Sequence, residues 1–165
     1  MGTILVLLLQ SALAQQIQLP RALPQLQGRI LVAASKSRDP DLGRSVILVI
    51  HCGADGVAGL VVNRPAAGAR PRTWFGGPIA LGVRELFRSA TPAKDAERIF
   101  ADVYLTRKID DRPGSRVYAG YAGWSVPQWQ NEMDNGLWRV IPAEARMVFD
   151  PHPETLWRRI SVQQP

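Results

Sequence analysis

His51 and Cys52 are the residues best suited to catalysis by type, and they stand side by side after a β-branched apolar run. A histidine can activate a neighbouring cysteine as a nucleophile when the two side chains meet. Consecutive residues of a strand point to opposite faces, however, so a strand through this pair keeps the two side chains apart. Free cysteines are mostly buried and inert. We therefore expect no catalytic role for Cys52.

No other pattern of catalytic or metal-binding residues is present in the sequence. It lacks the motifs G-x-S-x-G, G-x-x-x-x-G-K-S/T and H-E-x-x-H. The single cysteine excludes an intrachain disulfide, and with His51 and His152 it makes no closed zinc site without help from carboxylates. We predict no catalytic residues, no metal and no cofactor. An enzyme of unknown class built around His51, Asn63 and Arg64 is the weakest alternative.

Two stretches are better suited to binding than to catalysis. Asn63 and Arg64 end an apolar segment, where polar side chains reach a sheet edge or cleft. In the alternative, Asn63 closes a turn and Arg64 pairs with a carboxylate. Tyr121 and Trp124 lie among small residues, which is typical of a packing joint between strand and helix or of aromatic side chains at an interface. The residues alone leave these alternatives open.

The net charge is +6, and 17 of the 20 basic residues are arginines. Arginine binds carboxylates and phosphates through two parallel hydrogen bonds. These arginines are scattered from Arg21 to Arg159 without forming a block, so most are expected to be solvated, and support for nucleic-acid binding is weak. The positive charge favours an anionic partner, such as an anionic component of the cell envelope, and a protein partner is the other option.

Residues 1–14 have the features of an export signal. A short apolar run, Ile4–Leu9, precedes a small-residue motif that ends at Ala14, although no Lys or Arg stands before the run. The run is too short to cross a bilayer, so we predict no transmembrane span in the mature chain. A buried first helix or strand is the alternative. We predict a signal peptide at 1–14, a Gln/Pro-rich linker at 15–27 and a periplasmic or secreted location, with a cytoplasmic location as the alternative.

The rest of the chain shows mainly strand patterns. β-branched runs and apolar alternation predict strands at 29–34, 46–50, 57–63, 98–106, 116–122 and 137–141. The second and third form a hairpin, in which Gly59 indicates a bulge or close packing. Residues 65–78 are predicted as loop, 107–115 as a polar turn, and 83–89 as either helix or strand.

Two helices have clear signals. The first follows Trp124, where Ser125 and Gln128 fit a capping box and Asn135-Gly136 provides a stop. The second is predicted at 153–160, where the apolar residues form one stripe.

In chain order, the segments GRILVAAS, DPDLGRSVILVIH, DGVAGLVVNRP, FGGP, RVYAGYAGWSVPQWQNE and FDPHPETLWRRI resemble the YqgE/AlgH family. The resemblance covers Gly28 to Ile160. It implies a single compact α+β domain at 28–162, with a mixed, curved β-sheet flanked by a few helices. It implies no established enzyme activity and no cofactor, although some members are described as regulators of transcription. The stretches after Pro65 and after Thr106 are short compared with most members, which predicts a shortened member.

The resemblance also groups the candidate binding residues on one family surface, whose role is either binding or packing. These residues are Asn63, Arg64, Gly76, Gly77, Tyr121, Trp124 and Gln128. We expect a non-enzymatic binding or interaction module of the cell envelope. A cytoplasmic protein of the transcriptional-regulator type is the alternative, and nucleic acid is not expected as a partner of an exported chain.

Overall fold

The computed structural model describes residues 23–65 and 73–162. The predicted signal peptide, residues 15–22 of the linker and part of the predicted 65–78 loop lie outside these ranges. The described end of the linker packs on the domain, since Leu26 is buried among core residues.

The described ranges form nine strands and three helices. The strands are β1 (Arg29–Ala33), β2 (Val46–Gly53), β3 (Gly56–Val61), β4 (Thr73–Phe75), β5 (Ile79–Arg88), β6 (Glu97–Phe100), β7 (Val103–Thr106), β8 (Arg116–Trp124) and β9 (Trp138–Pro142). The helices are α1 (Val126–Asp134), α2 (Ala145–Val148) and α3 (Pro153–Ser161).

One mixed sheet contains all nine strands, in the order β6-β7-β5-β8-β3-β2-β1-β9, with β4 paired to β8. Neighbours along this order are antiparallel, and the β4–β8 pair is parallel. The sheet curls until the start of β1 approaches β6, where the Gln27 side chain donates to Glu97 at 2.6 Å. The result is a half-barrel, which confirms the predicted α+β domain with a mixed, curved sheet.

Two cores lie on the two faces of the curled sheet. The inner core draws apolar side chains from seven strands, β1, β2, β3, β5, β6, β7 and β8, and only a strongly curved sheet can bring these into one cluster. Helices α2 and α3 close one end of this core with Val148, Leu156 and Ile160. The outer core lies beneath α1, whose Trp129 is 2% exposed.

Most of the predicted elements are confirmed. The β2–β3 hairpin forms, and its irregularity is the extra residue Ile50, because Val49 pairs with Gly59 while His51 pairs with Ala58. Gly59 is also a site of close packing, since a Cβ there would lie 2.4 Å from the side chain of Ile47. Helix α1 begins at the Ser125 cap and ends at Asn135.

Two predictions about elements are corrected, and one open alternative is settled. Residues 73–75 are a strand and not a loop, because their backbone pairs with the start of β8. The single strand predicted at 98–106 is a tight hairpin, β6–β7, which turns at Ala101-Asp102. The segment 83–89, left open between helix and strand, belongs mainly to strand β5. Helix α2 was not predicted.

Candidate functional site

Asn63 and Arg64 hold the backbone of a neighbouring loop. Asn63 is 6% exposed, accepts a hydrogen bond from the Val46 N–H at 2.8 Å and donates to the Arg44 carbonyl at 3.0 Å. The Arg64 guanidinium donates to the carbonyls of Asp41 and Gly43. The polar groups of both side chains are therefore engaged in fixing the loop that enters β2.

Gly76 and Gly77 lie against the backbone of β8. A Cβ at Gly76 would stand 2.2 Å from the Gly120 carbonyl oxygen, and one at Gly77 would stand 2.2 Å from the Ala122 nitrogen. Gly77 also has a φ of +152°. These two glycines let one backbone approach another, and no side chain fits between them.

Trp124 is part of a buried aromatic joint. Its indole N–H donates to Glu132 Oε2 at 2.8 Å, and the same oxygen accepts the Trp138 indole N–H at 2.6 Å. The Trp124 and Trp138 rings meet edge-on at 5.5 Å. Gln128 is exposed, and its amide donates to Glu132 Oε1 at 3.3 Å. Trp124 and Gln128 thus meet at Glu132 of helix α1.

Tyr121 faces a different environment, at the open end of the inner core. A cleft of about 850 Å³ opens there, opposite the end that α2 and α3 close. Its walls come from the end of β2, the start of β3, the middle of β5, the end of β7 and the residues just before β6. We call this cleft the mouth. Mouths of β-barrels are common ligand sites, and the volume lies within the usual range for small-molecule pockets.

Arg84 is the basic side chain set deepest in the mouth. It is half-buried, and its guanidinium lies 5.1 Å from the centre of the Tyr121 ring. Burial, and next the positive charge of Arg107, lower the pKa of Arg84 from its ordinary value, while Tyr121 acts in the opposite direction. Arg84 makes only a long contact, 3.4 Å, to the Leu81 carbonyl, and no carboxylate among the described residues pairs with it. Its charge is therefore available to an external anion.

Acidic side chains share the rim of the mouth. Asp95 and Glu97 line it together with Arg107 and Lys108. The His51 Nε2 lies 2.8 Å from Asp55 Oδ1, and both side chains are more than half exposed. The hydrogen bond to His51 is the first cause of the lowered pKa of Asp55.

His51 and Cys52 point away from each other, as expected for neighbours in a strand. Cys52 lies 3.3 Å from the Pro24 carbonyl and packs against the outer core, whereas His51 lines the mouth. Among the described residues, two with hydroxyl groups line the mouth. Thr106 donates to the Asp95 carbonyl at 2.9 Å, and the Tyr121 ring lies beneath the Arg84 guanidinium.

The loop that supplies Arg107 and Lys108 is fixed by a buried carboxylate. Glu85 is 0% exposed and accepts the backbone N–H groups of Asp110 and Arg112, each at 2.8 Å, as well as the Arg112 guanidinium at 2.9 Å. Burial raises the pKa of Glu85, but hydrogen bonds and the charge of Arg112 outweigh it, so the pKa is lowered. Arg84 and Glu85 are consecutive on β5. This strand therefore places Arg84 in the mouth and, through Glu85, anchors the loop that carries Arg107 and Lys108.

The predicted site residues have different settings. The Tyr121 side chain lines the mouth, and Gly76 and Gly77 lie against the backbone on either side of it in β8. Asn63 and Arg64 hold the loop before β2, and Trp124 and Gln128 meet at Glu132. No sequence pattern indicated Arg84, Arg107 or Lys108 as site residues. Arg84 stands between Val83 and Glu85 in the sequence, and a basic residue in such a stretch is common on solvated strands, so it gave no distinguishing signal.

Within residues 23–65 and 73–162, no three His, Cys, Asp or Glu side chains are grouped as metal ligands would be. No helix of the described segments has the length and apolar character needed to cross a membrane.

The family model described as AlgH-like (DUF179) matches residues 30–165. The chain belongs to the AlgH-like family. An uncharacterised protein of the UPF0301 group from Streptomyces avermitilis is 32% identical, with 84% of this chain and 86% of the relative covered. The corresponding protein of Streptomyces coelicolor is 30% identical over the same shares of the two chains.

Two solved structures share the AlgH-like fold. The crystal structure of a Corynebacterium diphtheriae protein superposes with a TM-score of 0.73 at 22% identity, covering 88% of this chain and 90% of the other. The solution structure of AlgH from Pseudomonas aeruginosa gives a TM-score of 0.67 at 20% identity, covering 89% and 94%. At these identities the likeness establishes the fold alone.

Proposed function

We propose that this AlgH-like protein is a non-enzymatic binding module of the cell envelope, which holds an anionic group of its partner in the mouth. The observation that carries the proposal is Arg84, half-buried on Tyr121 beside Arg107 without a carboxylate partner in the described part of the chain. Partial burial of a guanidinium without a counter-ion costs desolvation free energy, and a bound anion offsets that cost.

Binding accounts for the mouth better than catalysis does. The His51–Asp55 pair is more than half exposed at the rim, and the Thr106 hydroxyl that lines the mouth is hydrogen-bonded to backbone. The acidic side chains Asp95 and Glu97 on the rim also oppose close approach of a nucleic-acid backbone. This favours a binding module over the alternative of a regulator that contacts nucleic acid.

The proposed envelope location rests on the sequence of residues 1–14, and the intact mass of the protein in cell fractions tests it. The intact mass of the protein should be measured in separated periplasmic and cytosolic fractions of its own host. We expect a periplasmic species that begins at Gln15 or within a few residues of it. A full-length cytosolic species would contradict the envelope part of the proposal and favour the cytoplasmic regulator.

The binding part is tested by two matched arginine variants. Arg84→Ala removes the most buried cation of the mouth, and Arg88→Ala removes one charge from the same strand at an exposed site, where Arg88 pairs with Asp102 at 2.7 Å. We expect Arg84→Ala to reduce the share of protein that co-sediments with the host envelope at low salt by about tenfold, and Arg88→Ala to leave it within about twofold of wild type. Equal effects of the two variants would mean that net charge, and not the mouth, holds the partner.

A further inference from the structure

The mouth has an apolar lining beneath its charged rim. Ile50 belongs to the inner core, and Ala58, Leu105 and the Tyr121 ring pack against that core as its outermost layer. A small inorganic anion on Arg84 would leave this apolar surface facing water. A ligand with an apolar body would cover it and gain the free energy of its burial.

The carboxylates of the mouth limit the charge that a ligand can carry. Asp55, Asp95 and Glu97 line the same space as Arg84 and Arg107. A dianionic phosphate or a polyanion would meet these acidic groups as well as the arginines, and like charges at close range repel. A monoanion pairs with the arginines and meets less of this repulsion, because the repulsion scales with the charge of the ligand.

The guanidinium of Arg84 suits a carboxylate head group. Its central carbon lies over the Tyr121 ring, 5.1 Å from the ring centre. A carboxylate matches the geometry of the guanidinium edge through two parallel hydrogen bonds.

We propose that the mouth binds an organic monocarboxylate with an apolar body, in which the carboxylate pairs with Arg84 and the body lies on Ile50, Ala58 and Leu105. This inference rests on the proposed function and adds the chemical class of the group that is bound. The carboxylate can belong to a free alkyl or aryl acid or to the end of a larger envelope molecule.

The test is a calorimetric titration of the purified chain with octanoate, acetate, octanol and inorganic phosphate. We expect octanoate to bind at least about tenfold more tightly than acetate, because only octanoate covers the apolar lining. Octanol, which lacks the charge, should bind at least about tenfold more weakly than octanoate.

Three variants locate the interaction. Arg84→Ala should weaken octanoate binding by at least about tenfold, and Arg88→Ala should leave it unchanged. Ala58→Leu fills part of the apolar lining, so it should weaken octanoate binding and leave acetate binding unchanged. The melting temperature of each variant confirms that it is folded.

The outcomes separate the inference from the proposed function. Octanoate binding no tighter than that of acetate or octanol, or equally sensitive to Arg88→Ala, overturns the inference. If phosphate alone binds and Arg84→Ala abolishes its binding, the inference fails while an anion site in the mouth stands. If no probe binds and Arg84→Ala still co-sediments with the envelope, both fail. Where octanoate binds, decanoic acid attached to a soluble polymer through its terminal carbon, with its carboxylate free, distinguishes a free acid from the exposed end of a larger molecule, since only the latter mode tolerates the attachment.

Discussion

At the scale of single residues, Glu132 joins the two tryptophans that stand before and after helix α1. One carboxylate oxygen accepts both the Trp124 and Trp138 indole N–H groups, at 2.8 and 2.6 Å. Strand β8, helix α1 and strand β9 thereby meet at one atom. The sequence GYAGW indicated a joint between strand and helix, but it did not reveal that the acceptor stands eight residues further on or that a second tryptophan shares it.

Glu132→Ala should lower the free energy of unfolding by about 2 kcal/mol, because it leaves two buried indole N–H groups without an acceptor. Glu132→Gln retains a carbonyl oxygen and should cost about half as much. Urea unfolding followed by tryptophan fluorescence measures both values. If the Ala and Gln variants are equally stable, the shared hydrogen bonds do not hold this joint.

At the scale of elements, the β5–β8 pair depends on a glycine at a bulge. Ile79 pairs with Tyr121 and Val83 with Ala119, so residues 80–82 of β5 stand opposite Gly120 alone. Gly120 has a φ of +72°, and a Cβ there would lie 2.7 Å from the carbonyl oxygens of Gly77 and Ile79. The bulge therefore lies beside Tyr121, at the edge of the mouth.

Gly120→Ala and Gly114→Ala separate this close approach from backbone strain. Gly114 has a φ of +73°, but a Cβ there would meet nothing within 4 Å. We expect Gly114→Ala to cost about 1 kcal/mol from its left-handed backbone alone, and Gly120→Ala to cost roughly 2 kcal/mol more. Chemical unfolding measures the difference. Equal losses of unfolding free energy in the two variants would show that the backbone around Gly120 shifts to admit a Cβ without further cost.

Sequence patterns predicted the long elements and failed at the short ones. Alternation and β-branching identify β2 and β8, and capping residues identify α1, because these signals are local. The β6–β7 hairpin was not predicted because its turn contains Ala101, with a φ of +41° and no glycine or proline to mark it. Strand β4 has three residues and exists through pairing with β8, which no local pattern encodes.

At the scale of the whole molecule, the curl of the sheet creates the mouth. Residues as distant in sequence as His51, Arg84, Arg107 and Tyr121 line one cleft, because the ends of several antiparallel strands meet at the open end of the half-barrel. The sequence marked Tyr121 and His51 as candidates by residue type. It could not mark the arginines, because their setting arises only when the strands are assembled.

A map of backbone amide chemical shifts on addition of octanoate would locate the bound ligand directly. The mouth predicts saturable shifts at Ala58, Leu105 and Tyr121, and no shifts at Leu156 and Ile160, where α3 closes the opposite end of the inner core. Shifts spread over exposed arginines, or confined to the closed end, would contradict the mouth as the binding site.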